Sequence, residues 1–180
     1  MFMWHLDGNE KLQPFKIYLH GCIDGYSRKI MYLQCASRKK AVIPMKMFCD
    51  AVHEFGLPHC IRCDRGGENV DIIEFMNSNL GMHHTCVLQG RSVHNVRIER
   101  LWREVNQVTY PFKQLFYRME QSGMLVVGND IHVLALHYVY LPRIQQKLDQ
   151  FVRVWDSHKI RTGGYKTPNE MFVAGNRAPI

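Results

Sequence analysis

Residues 40–67, KAVIPMKMFCDAVHEFGLPHCIRCDRGG, change their period partway along. Val42, Met45, Phe48, Cys49 and Val52 recur at three and four, which predicts a helix over residues 40–55 that stops at Gly56 ahead of Pro58. Residues 59–63 (HCIRC) then read as a short strand, with Asp64 at its carboxyl end and Gly66 and Gly67 behind it. A helix feeding such a strand is half of a crossover, and crossovers belong to α/β sheets.

Upstream, residues 2–7 alternate, with Phe2, Trp4 and Leu6 on one face and Met3, His5 and Asp7 on the other, so Asp7 is expected to end a strand broken by Gly8 and Asn9. Residues 16–23 and 29–35 read as two further strands joined through Asp24 and Gly25, a hairpin. Downstream, residues 70–76 suggest a short helix and 83–87 a fifth strand. Beyond a polar loop at 88–94, Ile98, Leu101, Val105, Val108, Phe112, Leu115 and Met119 hold one helical phase. Pro111 interrupts it, and a kink or a second helix is expected there because an interior proline costs about 3 kcal/mol. A further long helix is predicted over residues 130–155, bent at Pro142, before a turn-rich tail with a short helix after Pro168. The whole reads as one α/β domain over residues 1–180, a core at about 3–108 with a helical extension at about 109–180.

Composition agrees with a folded chain: of 180 residues 46% are hydrophobic and 22% charged, which excludes a disordered tail or a coiled coil. No apolar run is long enough to span a bilayer and no signal peptide pattern opens the chain, so a soluble intracellular protein with no membrane partner is expected. The six cysteines are read as reduced. The net charge of +7 is uneven: residues 1–90 hold ten Lys/Arg against nine Asp/Glu, residues 91–180 thirteen against seven. Such asymmetry suits a polyanionic partner or a merely basic surface, and charge alone does not choose.

Three acids stand out by position. Asp7 and Asp64 lie at strand ends, where open α/β sheets place their sites, and Glu99 lies on the helix that follows the polar loop. Asn95 and Arg103 share the face of Glu99, one turn to either side. Converging carboxylates repel one another unless a cation lies among them, and two Mg²⁺ ions about 3.5–4 Å apart support phosphoryl transfer. Taken singly, each acid reads equally as a cap, a turn or a surface charge.

Four motifs join them. WHLDGN around Asp7, IDGYSR at residues 23–28, DRGGEN at 64–69 and HNVRIERLWREV at 94–105 together resemble the catalytic core of integrases, the family of retroviral and retrotransposon integrases and Asp-Asp-Glu transposases. KTPNEMF from Lys166 resembles the segment that often closes these cores, and the likeness is nearest to integrase-core proteins of animal genomes. It implies an RNase H-like mixed five-stranded sheet flanked by helices, with the strands of Asp7 and Asp64 side by side. It implies Asp7, Asp64 and Glu99 as catalytic metal ligands for two Mg²⁺ or Mn²⁺ ions, DNA as partner, a homo-oligomer, and a nuclear location. The implied activity is hydrolysis of a phosphodiester followed by DNA strand transfer. The alternatives are a hydrolytic nuclease of the same fold and a domesticated, non-catalytic DNA- or protein-binding module. Arg91, Arg97, Arg100 and Arg103 are candidates for the DNA backbone, with Asn95 beside them. Integrases usually carry flanking zinc and DNA-binding modules, so an excised core or fragment is expected.

Other candidates weigh less. Cys60-x-x-Cys63 has zinc-like spacing, with His59, His83 and His84 near it in sequence, but it falls in a predicted buried strand. Asp24 is read as the hairpin turn, Glu68 as a loop or helix-start residue, and His94 and Asn95 as either a cap or a substrate contact. Tyr138, Tyr140 and Trp155 are read as packing residues.

Overall fold

The computed structural model describes residues 3–80, 87–90 and 95–177. Its centre is β1 (Met3–Asn9), whose side chains alternate as the sequence suggests: Trp4 and Leu6 enter the core on one side, and His5 and Asp7 face the other. The strand does not stop at Asp7. Gly8 and Asn9 continue the ladder opposite His20 and Leu19, because pairing engages backbone groups that glycine also possesses.

β2 (Tyr18–Asp24) and β3 (Ile30–Ala36) follow as an antiparallel meander. Asp24 closes its turn, its Oδ2 accepting from the Ser27 amide and hydroxyl, each at 2.7 Å, so this acid is a turn residue. α1 (Val42–Phe55) crosses over to β4 (Cys60–Cys63), which lies parallel to β1. α2 (Val70–Leu80) leads to β5 (Val87–Gln89), parallel to β4 and reaching two residues beyond the end of the strand expected at 83–87. Residues 83–86 of that expectation lie outside the described residues. The sheet order is β3-β2-β1-β4-β5, a mixed five-stranded sheet.

α3 (Val96–Gln121), α4 (Asp130–Ser157) and α5 (Pro168–Arg177) complete the chain. Of the two outcomes expected at Pro111, a second helix does not begin there: α3 runs as one helix through the proline. Pro111 and Gln107 are both exposed, so water can reach the carbonyl that the proline leaves unpaired. Beyond it, Phe116 is fully buried between Phe15 and Tyr140, with ring centroids 5.2 and 5.0 Å away, and this packing holds the far half of the helix. α4 likewise continues through Pro142.

Two cores flank the sheet. Leu19, Ile23 and Leu33 pack beneath Ile98, Leu101, Trp102 and Val105 of α3 and Leu136, Ile144 and Leu148 of α4. On the other side Trp4, Leu6, Ile61 and Cys63 meet Phe48, Ile72 and Met76 of α1 and α2. β3 is an edge strand, and α4 covers its open backbone: Gln145 donates to the Leu33 carbonyl at 3.1 Å and accepts from the Cys35 amide at 3.0 Å. The end of α4 clamps the start of β3, because Asp156 accepts from the Ile30 amide at 3.0 Å and from Lys29 Nζ at 2.8 Å.

Candidate active site

Asp7 pairs with Gly21 across the β1–β2 ladder. The glycine leaves room for an indole: a Cβ there would stand 3.0 Å from Trp102 Cη2. Trp102 fills the gap and donates its Nε1–H to Asp7 Oδ2 at 2.8 Å. Burial pushes the Asp7 carboxyl up to about 7, opposed by the Trp102 and Gly8 hydrogen bonds, while the like charges of Asp64 and Glu99 push it further.

Asp64 follows β4 directly and is held from the opposite side of the sheet. Its Oδ1 accepts from the Gly66 amide at 3.0 Å and from Asn69 Nδ2 at 3.2 Å. Asn69 Oδ1 meets His20 Nε2 at 3.2 Å, and His20 Nδ1 meets the Tyr32 hydroxyl at 2.9 Å. Burial brings His20 down to about 4, so its ring is neutral near neutral pH. With the Asn69 amide nitrogen on Asp64, one arrangement satisfies every atom: Tyr32 donates to His20, His20 to Asn69, and Asn69 to Asp64. The donors thus run in one direction and end on the carboxylate.

Glu99 lies half-buried in the first turn of α3. That helix end is pinned to β1 by Asn95, whose Oδ1 lies 2.7 Å from His5 Nδ1 and whose Nδ2 donates to the Leu6 carbonyl at 2.9 Å. Asn95 is 2% exposed, so it is a staple between elements and not the DNA contact expected of it. Asn106, three turns beyond Asn95 along α3, accepts from Asn9 Nδ2 at 3.0 Å and carries the junction on. Arg97, Arg100 and Arg103 are exposed on the same helix, whereas Arg91 and His94 lie outside the described residues.

Asp7, Asp64 and Glu99 are therefore grouped within electrostatic reach. Yet among the described residues no three His, Cys, Asp or Glu side chains stand close enough together to hold a metal ion. The donor set itself suits a hard divalent cation: carboxylate oxygens, one of them on an acid whose raised pKa a cation would reverse. Glu68, read from sequence as a loop residue, is a fourth acid nearby. Its carboxylate and that of Asp64 both crowd Gly66, where a Cβ would stand 2.7 Å from Glu68 Cδ and 2.9 Å from Asp64 Oδ1. Lys39 Nζ lies 3.5 Å from Glu68 Oε2 and also pairs with Glu10. Cys60 and Cys63 occupy β4, and burial pushes the Cys63 thiol up to about 12, far from the thiolate that zinc requires.

Four supporting residues escaped the sequence reading. Trp102 and Asn69 lie inside quoted motifs but were not singled out, and nothing local marks His20 or Tyr32, whose role arises only from the β2–β3 pairing.

Comparison with known proteins bears on this arrangement. The sequence matches the integrase core domain family over residues 2–178. The chain belongs to the integrase core domain family. A search of curated proteins returned no match. Among solved structures, the HTLV-2 integrase catalytic core domain in complex with magnesium, in its trimeric form, is 14% identical with a TM-score of 0.59, and the match covers 95% of each chain. The BIV integrase catalytic core domain is 13% identical with a TM-score of 0.62, covering 97% of this chain and 95% of that one. A chain of the simian T-cell lymphotropic virus intasome in complex with PP2A regulatory subunit B56 gamma gives 14% and 0.62, covering 99% of this chain and 56% of that one. This integrase core thus has the mixed sheet and flanking helices of retroviral integrase catalytic cores.

Proposed function

We propose that this integrase core cuts a phosphodiester with water and joins a DNA 3′-hydroxyl to target DNA, using Asp7, Asp64 and Glu99 to hold Mg²⁺ or Mn²⁺. The observation that carries the reading is Asp7: a carboxyl buried under Trp102 whose pKa rises to about 7, partly through the charges of Asp64 and Glu99. A pair of divalent ions so held would activate the attacking oxygen and stabilise the leaving one. The chain's own groups prepare the place. Trp102 fixes one face of Asp7, Gly66 and Asn69 fix Asp64, and the Asn95 staple sets the start of the helix bearing Glu99. Exposed Arg97, Arg100 and Arg103 supply charge for the DNA backbone.

Relatives support the metal and the oligomer, since the HTLV-2 core was solved with magnesium in dimeric and trimeric forms. Ile131, Leu134 and Tyr138 expose 75%, 69% and 85% of their surfaces at helical spacing on α4, an apolar stripe suited to self-association. A nuclear location is part of the same proposal, since joining DNA requires access to it.

The test is a branched DNA that mimics the joined product, whose reacting hydroxyl and phosphodiester are already held together. With Mn²⁺ the chain should cleave and rejoin it. Asp7→Asn, Asp64→Asn and Glu99→Gln should each abolish turnover while leaving DNA binding intact. Cleavage without rejoining would identify a nuclease, and binding with turnover no faster than Glu99→Gln a non-catalytic module.

A further inference from the structure

Away from the carboxylates, a cleft of about 550 Å³ opens between the first turns of α3, the end of α4 and the turn joining β2 to β3. Arg28, Arg97, Arg100, Lys159 and Arg161 line it, against a single carboxylate, Glu104. None of the ion pairs formed among the described residues uses any of these five cations. At about 100° per residue, Arg97 and Arg100 stand roughly 100–160° around α3 from Glu99, so the cleft opens on another flank of the helix.

Arg28 shows that the cleft is built and not a loose patch. Its backbone sits in the left-handed region at φ 64°, its carbonyl accepts from Trp155 Nε1 at 2.8 Å, and its Nη2 donates to Thr162 Oγ1 at 2.9 Å. These bonds hold the guanidinium where burial, and then the charges of Arg97 and Arg100, lower its pKa. Its Nε is buried with no partner among the described residues. Holding several cations together unpaired costs free energy that an anion recovers. One phosphate would need two of these arginines. Five cations drawn from three elements, with Phe151 and Trp155 forming an apolar wall, suit a run of phosphates carried on sugars.

We infer that this cleft binds the phosphodiester backbone of DNA, as a second contact apart from the carboxylates that carries the duplex flanking the reacting strand. The identity of the polyanion rests on the reading of the chain as a DNA-acting core; the cleft and its unpaired cations do not.

The test compares two triple variants that lose equal charge: Arg97→Ala/Arg100→Ala/Arg161→Ala in the cleft, and Lys46→Ala/Arg118→Ala/Lys147→Ala on exposed surface elsewhere. Branched DNA is titrated by fluorescence anisotropy at several salt concentrations, and Mn²⁺ by calorimetry. The cleft variant should lower the slope of log Kd against log salt by about three, with the surface variant near wild type, and all three proteins should bind Mn²⁺ alike. Equal slopes for the two variants, with wild type still steep, would overturn the cleft assignment together with the DNA role of Arg97 and Arg100, and leave the proposed carboxylate chemistry standing. A wild type with no salt-dependent DNA binding would overturn both. Tripolyphosphate that saturates the cleft without displacing DNA would show a small-anion site and overturn the assignment.

Discussion

A tryptophan, a glycine and an aspartate make one unit at the residue scale. Gly21 leaves the space, Trp102 occupies it, and Asp7 receives the indole proton. Because the folded pKa of Asp7, about 7, exceeds its ordinary 3.8, the neutral acid favours folding. That contribution is full below about pH 4, fades as pH rises, and is gone above about pH 7. His20 has the opposite sign: its folded value near 4 lies below 6.5, so its contribution is full above 6.5 and is lost as pH falls toward 4. Asp7→Asn isolates the first effect. In EDTA it should stabilise the fold at pH 8 by on the order of 2–4 kcal/mol and change little near pH 4. Denaturant unfolding of both proteins across that range measures the difference. The Asp7 carboxylate was legible in the sequence as the acid of WHLDGN, but its pKa was not, since that depends on Trp102 arriving from 95 residues away.

At the scale of elements, hydrophobic periodicity located β1 to β4 and every helix, because each buries one face and the period records it. Boundaries slipped where backbone pairing outran side-chain pattern, at Gly8 and Asn9 in β1. A second helix at Pro111 stayed open in the sequence because the local penalty was visible and the compensating burial of Phe116 against Phe15 and Tyr140 was not. Junctions between elements were invisible for the same reason. Asn95 looked like a cap or a DNA contact until its partners on β1 were known, and Asp156 carried no signal at all. Asp156→Ala should leave the Ile30 amide unpaired and Lys29 without its ion pair, holding only Asn169 Oδ1, at a site where the acid is only 5% exposed. A loss of about 2–4 kcal/mol is expected, seen as a lower denaturant midpoint, with Mn²⁺ binding retained under native conditions.

For the whole molecule, part of the positive charge of residues 91–180 gathers in one cleft, where Arg97, Arg100, Lys159 and Arg161 meet Arg28. The sequence showed the asymmetry, but Arg28 comes from the first half of the chain and joins the others only through folding. The three acids were legible by motif, and the sheet brings them to one end. That no three such side chains among the described residues stand within reach of one ion is a matter of packing that no motif encodes. The central claim is that these acids form one divalent-cation site, and calorimetric titration with Mn²⁺ tests it most directly. Wild type should bind at millimolar metal or below, more tightly at pH 8 than at pH 6, and release more protons at pH 6, where Asp7 must ionise to bind, with binding lost in Asp64→Asn. No binding by wild type, or equal binding by Asp64→Asn, would contradict it.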